Sequence, residues 1–333
     1  GSLAYLTNNS LLNYNLAGIL STTSEPMLFI DSSIAKLNNN DINVSANGVG
    51  AYMTGNNSKF INWATLTLNN NSTGIYLNES TNSYIQSNAQ ITGNQDNAKG
   101  IVAISSDVNY NGNISLSGNG SIGIFSRNNS GAIKNIINTG NITVSGERTM
   151  GIYLEGNNDQ TVTNNGIINI AATTAANKND STVGIYASAS PTAVYNIINN
   201  STINTGENSF GIYSLNEAGK ITTSGGSALN VSDKATGIYK RNGEVNLGGQ
   251  VSVANHVATT PNSEPVGVFV TRDSKITDTT SVFNVGDASY GIIMSNPLTS
   301  GHTSVNPNTG VINLGNNSTF SSSVGFASVT TNA

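Results

Sequence analysis

Ser209-Phe210-Gly211-Ile212-Tyr213-Ser214 is answered 26 residues later by Ala235-Thr236-Gly237-Ile238-Tyr239-Lys240, and 27 residues earlier by Thr182-Val183-Gly184-Ile185-Tyr186-Ala187. The Gly-Ile-Tyr phrase also stands at Gly74 and Gly151, with looser copies at Gly50, Gly100, Gly123, Gly267, Gly291 and Gly325, so the unit returns every 23 to 34 residues. A fixed return of this length is the mark of a repeat architecture. The residue after the glycine is almost always branched and aliphatic (Ile75, Ile101, Ile124, Ile152, Ile185, Ile212, Ile238, Val268, Ile292). The next is usually aromatic (Tyr52, Tyr76, Phe125, Tyr153, Tyr186, Tyr213, Tyr239, Phe269). A change of character at every second residue is the period of a strand. The Ile column is expected inward, together with the mostly apolar residues before the glycine (Ile122, Met150, Val183, Phe210), and the aromatic column outward.

Ten to twenty residues after each glycine comes a second phrase, as in Ile137-Asn138-Thr139-Gly140-Asn141-Ile142-Thr143-Val144. It reads as two short strands hinged at a glycine able to take positive φ. Each repeat then supplies three strands and three turns, and the turns carry Asn-Gly pairs at Asn47, Asn111, Asn119, Asn165 and Asn242. Such a unit cannot bury its apolar face alone, but stacked units can. The expectation is an all-β parallel β-helix, a solenoid of about twelve coils with three strands per coil, on the order of 55–60 Å long at one strand spacing per coil. A solenoid grows in one dimension, so all 333 residues are assigned to one domain, with clear repeats from about 26 to 328.

Composition narrows the function. Net charge is −5, with only 13 Lys and Arg, and no basic stripe to displace counterions, which excludes nucleic acid as a partner. No cysteine is present, so thiolate metal sites are excluded. No apolar run reaches the roughly 18 residues needed to span a bilayer, and no signal peptide opens the chain. Gly1-Ser2 reads as a cloning remnant ahead of a piece of a longer protein.

The recurring Gly-Ile-Tyr, the Asn-Thr-Gly-x-Ile-x-Val phrase and the cysteine-free, Asn/Ser/Gly-rich composition together resemble the passenger domains of type V (autotransporter) surface adhesins. The Ile/Asn-heavy style is most similar to the large fusobacterial ones. The resemblance implies a right-handed parallel β-helix, exported through a C-terminal outer-membrane barrel that is absent from this sequence, and displayed on the bacterial cell surface as a monomer. It implies adhesion to host-cell surfaces or partner bacteria. A regular scaffold with variable loops on one edge and almost no titratable clusters points to binding of a glycan or protein receptor and not to catalysis, and no cofactor is expected. A non-binding stalk is one alternative, and a polysaccharide lyase or hydrolase on a β-helix a second.

An asparagine two residues before the hinge, at Asn62, Asn138, Asn164, Asn199 and Asn308, is expected to form a side-chain amide ladder. The outward aromatics suit either a solvent-shielding ladder or a binding strip. Long loops (171 to 183, 254 to 266 and 315 to 324) leave one border of the Gly-Ile-Tyr strand, and Glu217, Lys220, Lys240, Arg241, Glu244, Arg272, Asp273 and Lys275 gather on the other. The binding residues are therefore expected to be Tyr186, Tyr213, Tyr239, Phe269, Lys240, Arg241, Arg272 and Asp180. Asp273 and Asp278 near Arg272 and Lys275 are the one local grouping an enzyme could use. His256 and His302, in separate loops without partners, give no zinc site. Asp159, Asn177, Asn179 and Asp180 have the polarity for calcium but not its nonapeptide repeat.

Overall fold

The computed structural model of the chain describes residues 2–15, 18–21, 25–38, 40–63, 65–87, 90–174, 180–257, 263–271, 274–295, 311–314, 319–322 and 329–331. Over these residues the molecule is a parallel β-solenoid without an α-helix. Thirteen strands, from Ala4–Leu6 to Val329–Thr331, form one ladder to which each coil gives one strand. The other strands form two further ladders in the same parallel stacking. Those two merge where Glu244–Val253 and Lys275–Val285 run on as single strands, so separate second and third strands are not formed in these two coils. The hinge is replaced there by a register shift at Leu247/Gly248, with Gly249 at φ +78°.

The Ile column is the core. Ile152, Ile185, Ile212, Ile238, Val268 and Ile292 lie in register from coil to coil, and each is 0% exposed. Each such burial contributes about 1.5–3 kcal/mol. The glycine beside it is dictated by space. A Cβ on Gly184 would stand 2.5 Å from the Gly211 carbonyl oxygen and 2.8 Å from Ile170 Cδ1. Because the glycine also faces inward, alternation breaks at this point, and two successive positions are buried between two half-buried ones. The column before the glycine therefore lies outside the main core, although Ile122, Val183 and Val266 in it are buried. Met150, Phe210 and Thr236 are half-buried on the outer face, on the same side as the aromatics.

The hinge glycines differ from expectation in cause. Gly140 and Gly166 do not take positive φ. They are needed because a Cβ would collide with the carbonyl of Gly112 and of Gly140 in the preceding coil. Positive φ falls instead largely on corner asparagines: among the described residues, nine of the fifteen non-glycine residues with positive φ are Asn.

The inner amide ladder forms, but only over three coils. Asn138 Nδ2 donates to Asn164 Oδ1 (2.9 Å) and Asn164 Nδ2 to Asn199 Oδ1 (2.8 Å). Each also donates to the carbonyl two residues on, at Gly140, Gly166 and Ser201. Thr223 ends the run. Asn62 is buried with Leu37 and Ser87, not asparagines, as its neighbours in the column, and Asn308 lies outside the described residues. A second, outer amide ladder, Asn169–Asn204–Asn230, carries 2.7 Å bonds.

Candidate binding groove

The outward aromatic column forms two runs. Tyr5, Phe29, Tyr52 and Tyr76 stack with centroids 4.2, 5.2 and 5.4 Å apart. Val102 takes the next place, packed with Ile122 and Phe125 in a small outer apolar cluster. The second run begins with Phe125, Tyr153 and Tyr186 edge to face (5.4 and 5.1 Å) and continues as a stack through Tyr213, Tyr239 and Phe269 at 5.7, 4.5 and 5.7 Å.

Beside this second stack lies a groove of about 480 Å³. One wall is Tyr186, Tyr213, Tyr239 and Phe269, the other the column before the glycine, in particular Val183 and Phe210. The Phe210 ring stands at 79° to Tyr213, 4.9 Å away. No carboxylate, lysine, arginine or histidine lines the groove among the described residues. Burial raises the phenol pKa of Tyr186, and pushes that of Tyr213 up to about 12 with help from the neighbouring phenols of Tyr239 and Tyr186, against the opposing pull of Arg241.

The structure thus brings four of the eight expected residues together in the lining of one groove. Arg241 stands at the edge, paired with Glu217 at 3.1 Å. Asp180, on the turn before Gly184, pairs with Arg148 at 3.2 Å. Arg272, with Asp273, lies outside the described residues.

Lys240 requires a correction. Expected on a solvated turn, it is 0% exposed, because the alternation that turns Tyr239 outward turns Lys240 inward. Its ammonium donates to the Asn216 carbonyl and to Ser214 Oγ. Desolvation drops its pKa to about 8, with Glu217 pulling the other way. It cannot touch a partner.

The charged border forms cross-coil ion pairs, Lys220–Glu244 at 3.0 Å and Arg241–Glu217. Lys275 is exposed and Asp278 buried on the opposite face of one strand, so these two members of the enzymatic grouping do not converge. His256 also departs from expectation, because its Nδ1 lies 2.7 Å from Asp233 Oδ1, and Asp233 Oδ2 accepts the Val257 amide at 3.2 Å. Among the potential calcium ligands, Asp159 accepts the Val194 amide and Asp180 holds Arg148, while Asn177, Asn179 and likewise His302 lie outside the described residues.

Sequence reasoning missed Phe210 and Val183 as groove residues and Asp233 as the partner of His256. The signal for the last was present: residues about one repeat apart lie side by side in adjacent coils. Comparison with family models, with curated proteins and with solved structures gives no match for this chain.

Proposed function

We propose that this chain is a segment of a surface-displayed, autotransporter-type adhesin that binds a glycan or protein receptor of host cells or partner bacteria, and that the contact is the groove over Tyr186, Tyr213, Tyr239 and Phe269. The observation that carries this reading is the groove itself, walled by two apolar columns and bordered on one side by the ion pairs Lys220–Glu244 and Arg241–Glu217. Exposed, concave apolar surface with rigid aromatic walls is where recognition concentrates. A groove with no carboxylate, lysine, arginine or histidine in its lining among the described residues supports binding over catalysis.

The stalk reading draws on a specific observation too. The rings of Tyr186, Tyr213, Tyr239 and Phe269 lie within 15° of parallel, so their faces are spent on one another. The test is binding of the labelled chain to host cells and partner bacteria, comparing Tyr213→Ser with Tyr239→Ser against Tyr52→Ser with Tyr76→Ser, both checked by circular dichroism. The groove pair should weaken binding at least tenfold, at about 1–3 kcal/mol for each anchor lost. Equal binding by the two pairs removes the groove from the account, and no binding by the native chain favours the stalk.

A further inference from the structure

With the ring faces engaged, what the second stack offers to the groove is a row of phenol edges. The hydroxyls of Tyr153, Tyr110 and Tyr195 are bonded to Glu155, to the Asn113 carbonyl and to the Gly156 carbonyl. Those of Tyr186, Tyr213 and Tyr239 have no protein partner among the described residues, although all three residues are half-buried. Each is both a donor and an acceptor. The result is a polar comb with one tooth per coil, facing an apolar wall.

The comb has a pitch. The rings from Tyr186 to Phe269 step by 5.7, 4.5 and 5.7 Å, spanning about 16 Å. An extended peptide presents same-side groups every two residues, roughly 6.6–6.8 Å, and falls out of step within a few coils. The length of a pyranose ring along a linear chain is close to the thickness of one coil. The lining carries no formal charge, which suits a neutral chain. Val183 and the turned ring of Phe210 offer an apolar wall to the C–H face of a sugar.

Resting on the binding reading above, we infer that the ligand is a linear, uncharged oligosaccharide lying along the rod axis, one sugar per coil, with its hydroxyls bonded to Tyr186, Tyr213 and Tyr239. The test is calorimetry of the full chain with cello-, N-acetylchito-, malto- and laminari-oligosaccharides of graded length, and with oligogalacturonides as the acidic control. Affinity for one neutral series should climb with each added ring until the three hydroxyl-bearing coils are filled, then level off. Tyr186→Phe, Tyr213→Phe and Tyr239→Phe keep the stack and remove only the hydroxyl, and each should weaken that binding about fivefold, the worth of one hydrogen bond. Tyr52→Phe should change nothing. Failure of every neutral series to bind, affinity without length dependence, tighter binding of the acidic control, or an unchanged triple Tyr→Phe variant overturns the inference. Cell binding that still requires Tyr213 and Tyr239 while no saccharide binds keeps the groove, rejects the sugar and points to an extended peptide.

Discussion

The two aromatic runs are built alike and end up different. In the first, Tyr5 to Tyr76 stack within 8° of parallel; in the second, Tyr186 to Phe269 do nearly the same. The contrast lies one column away. Before the glycine the first run has Val49 and Thr73, whereas the second has Val183, Phe210 and Thr236, and the difference is Phe210, turned on edge against Tyr213. A stacked column is thus common to both runs. A concavity arises where a second bulky column stands opposite it, and the break in alternation at the glycine is what places that column outside.

The largest expected effect tests whether the two runs share one interior. Ile75→Asp and Ile212→Asp each put a carboxylate at a fully buried site, at a cost of several kcal/mol. Urea denaturation should show equal losses, and a much smaller loss for Ile212→Asp would mean that the runs differ inside as well as outside.

The next effect belongs to the second run alone, where Lys240 occupies the inward place held by Met53 and Leu77 beneath the first. Its pKa is lowered from 10.5 to about 8, so between those values the unfolded chain holds a proton that the folded chain has lost. Stability should therefore rise with pH across that window, by about 3 kcal/mol for a shift of this size. Lys240→Met should abolish the rise, and a native chain whose urea midpoint is flat from pH 8 to 10.5 would contradict the assignment.

The smallest effect is the opposite slope. The Tyr213 pKa is raised to about 12, so above pH 10 the unfolded phenol loses its proton first and stability falls as pH climbs. Near-ultraviolet titration should show several late-ionising tyrosines, Tyr153 and Tyr186 among them, and one fewer in Tyr213→Phe; an unchanged number would assign this late phenol elsewhere.

Much of this was legible. The Ile column, its register and the outward Tyr column follow from period-two alternation around a repeated glycine. Where the reading failed, a physical term outweighed the period. The position before the glycine changes face because Gly184, with no Cβ, can turn inward against the next coil's carbonyl. Lys240 was placed by its charge, although the alternation that set Tyr239 outward already sent it inward. His256 and Asp233 are neighbours only through the coil, 23 residues apart in sequence. The amide ladder stops because Thr223 and Leu247 follow Asn199 in its column, which alignment on the glycine alone does not reveal.

One consequence concerns load. In a parallel stack the backbone hydrogen bonds between coils point along the rod, so tension applied end to end falls on them one layer at a time and not on all layers at once. Such a rod should yield by peeling. Each coil released would lengthen the chain by 23 to 34 residues, about 80–120 Å of extended backbone. Pulled between two surfaces, the molecule would give ground in regular steps while the coils not yet opened kept their shape, which makes it a shock absorber as well as a support.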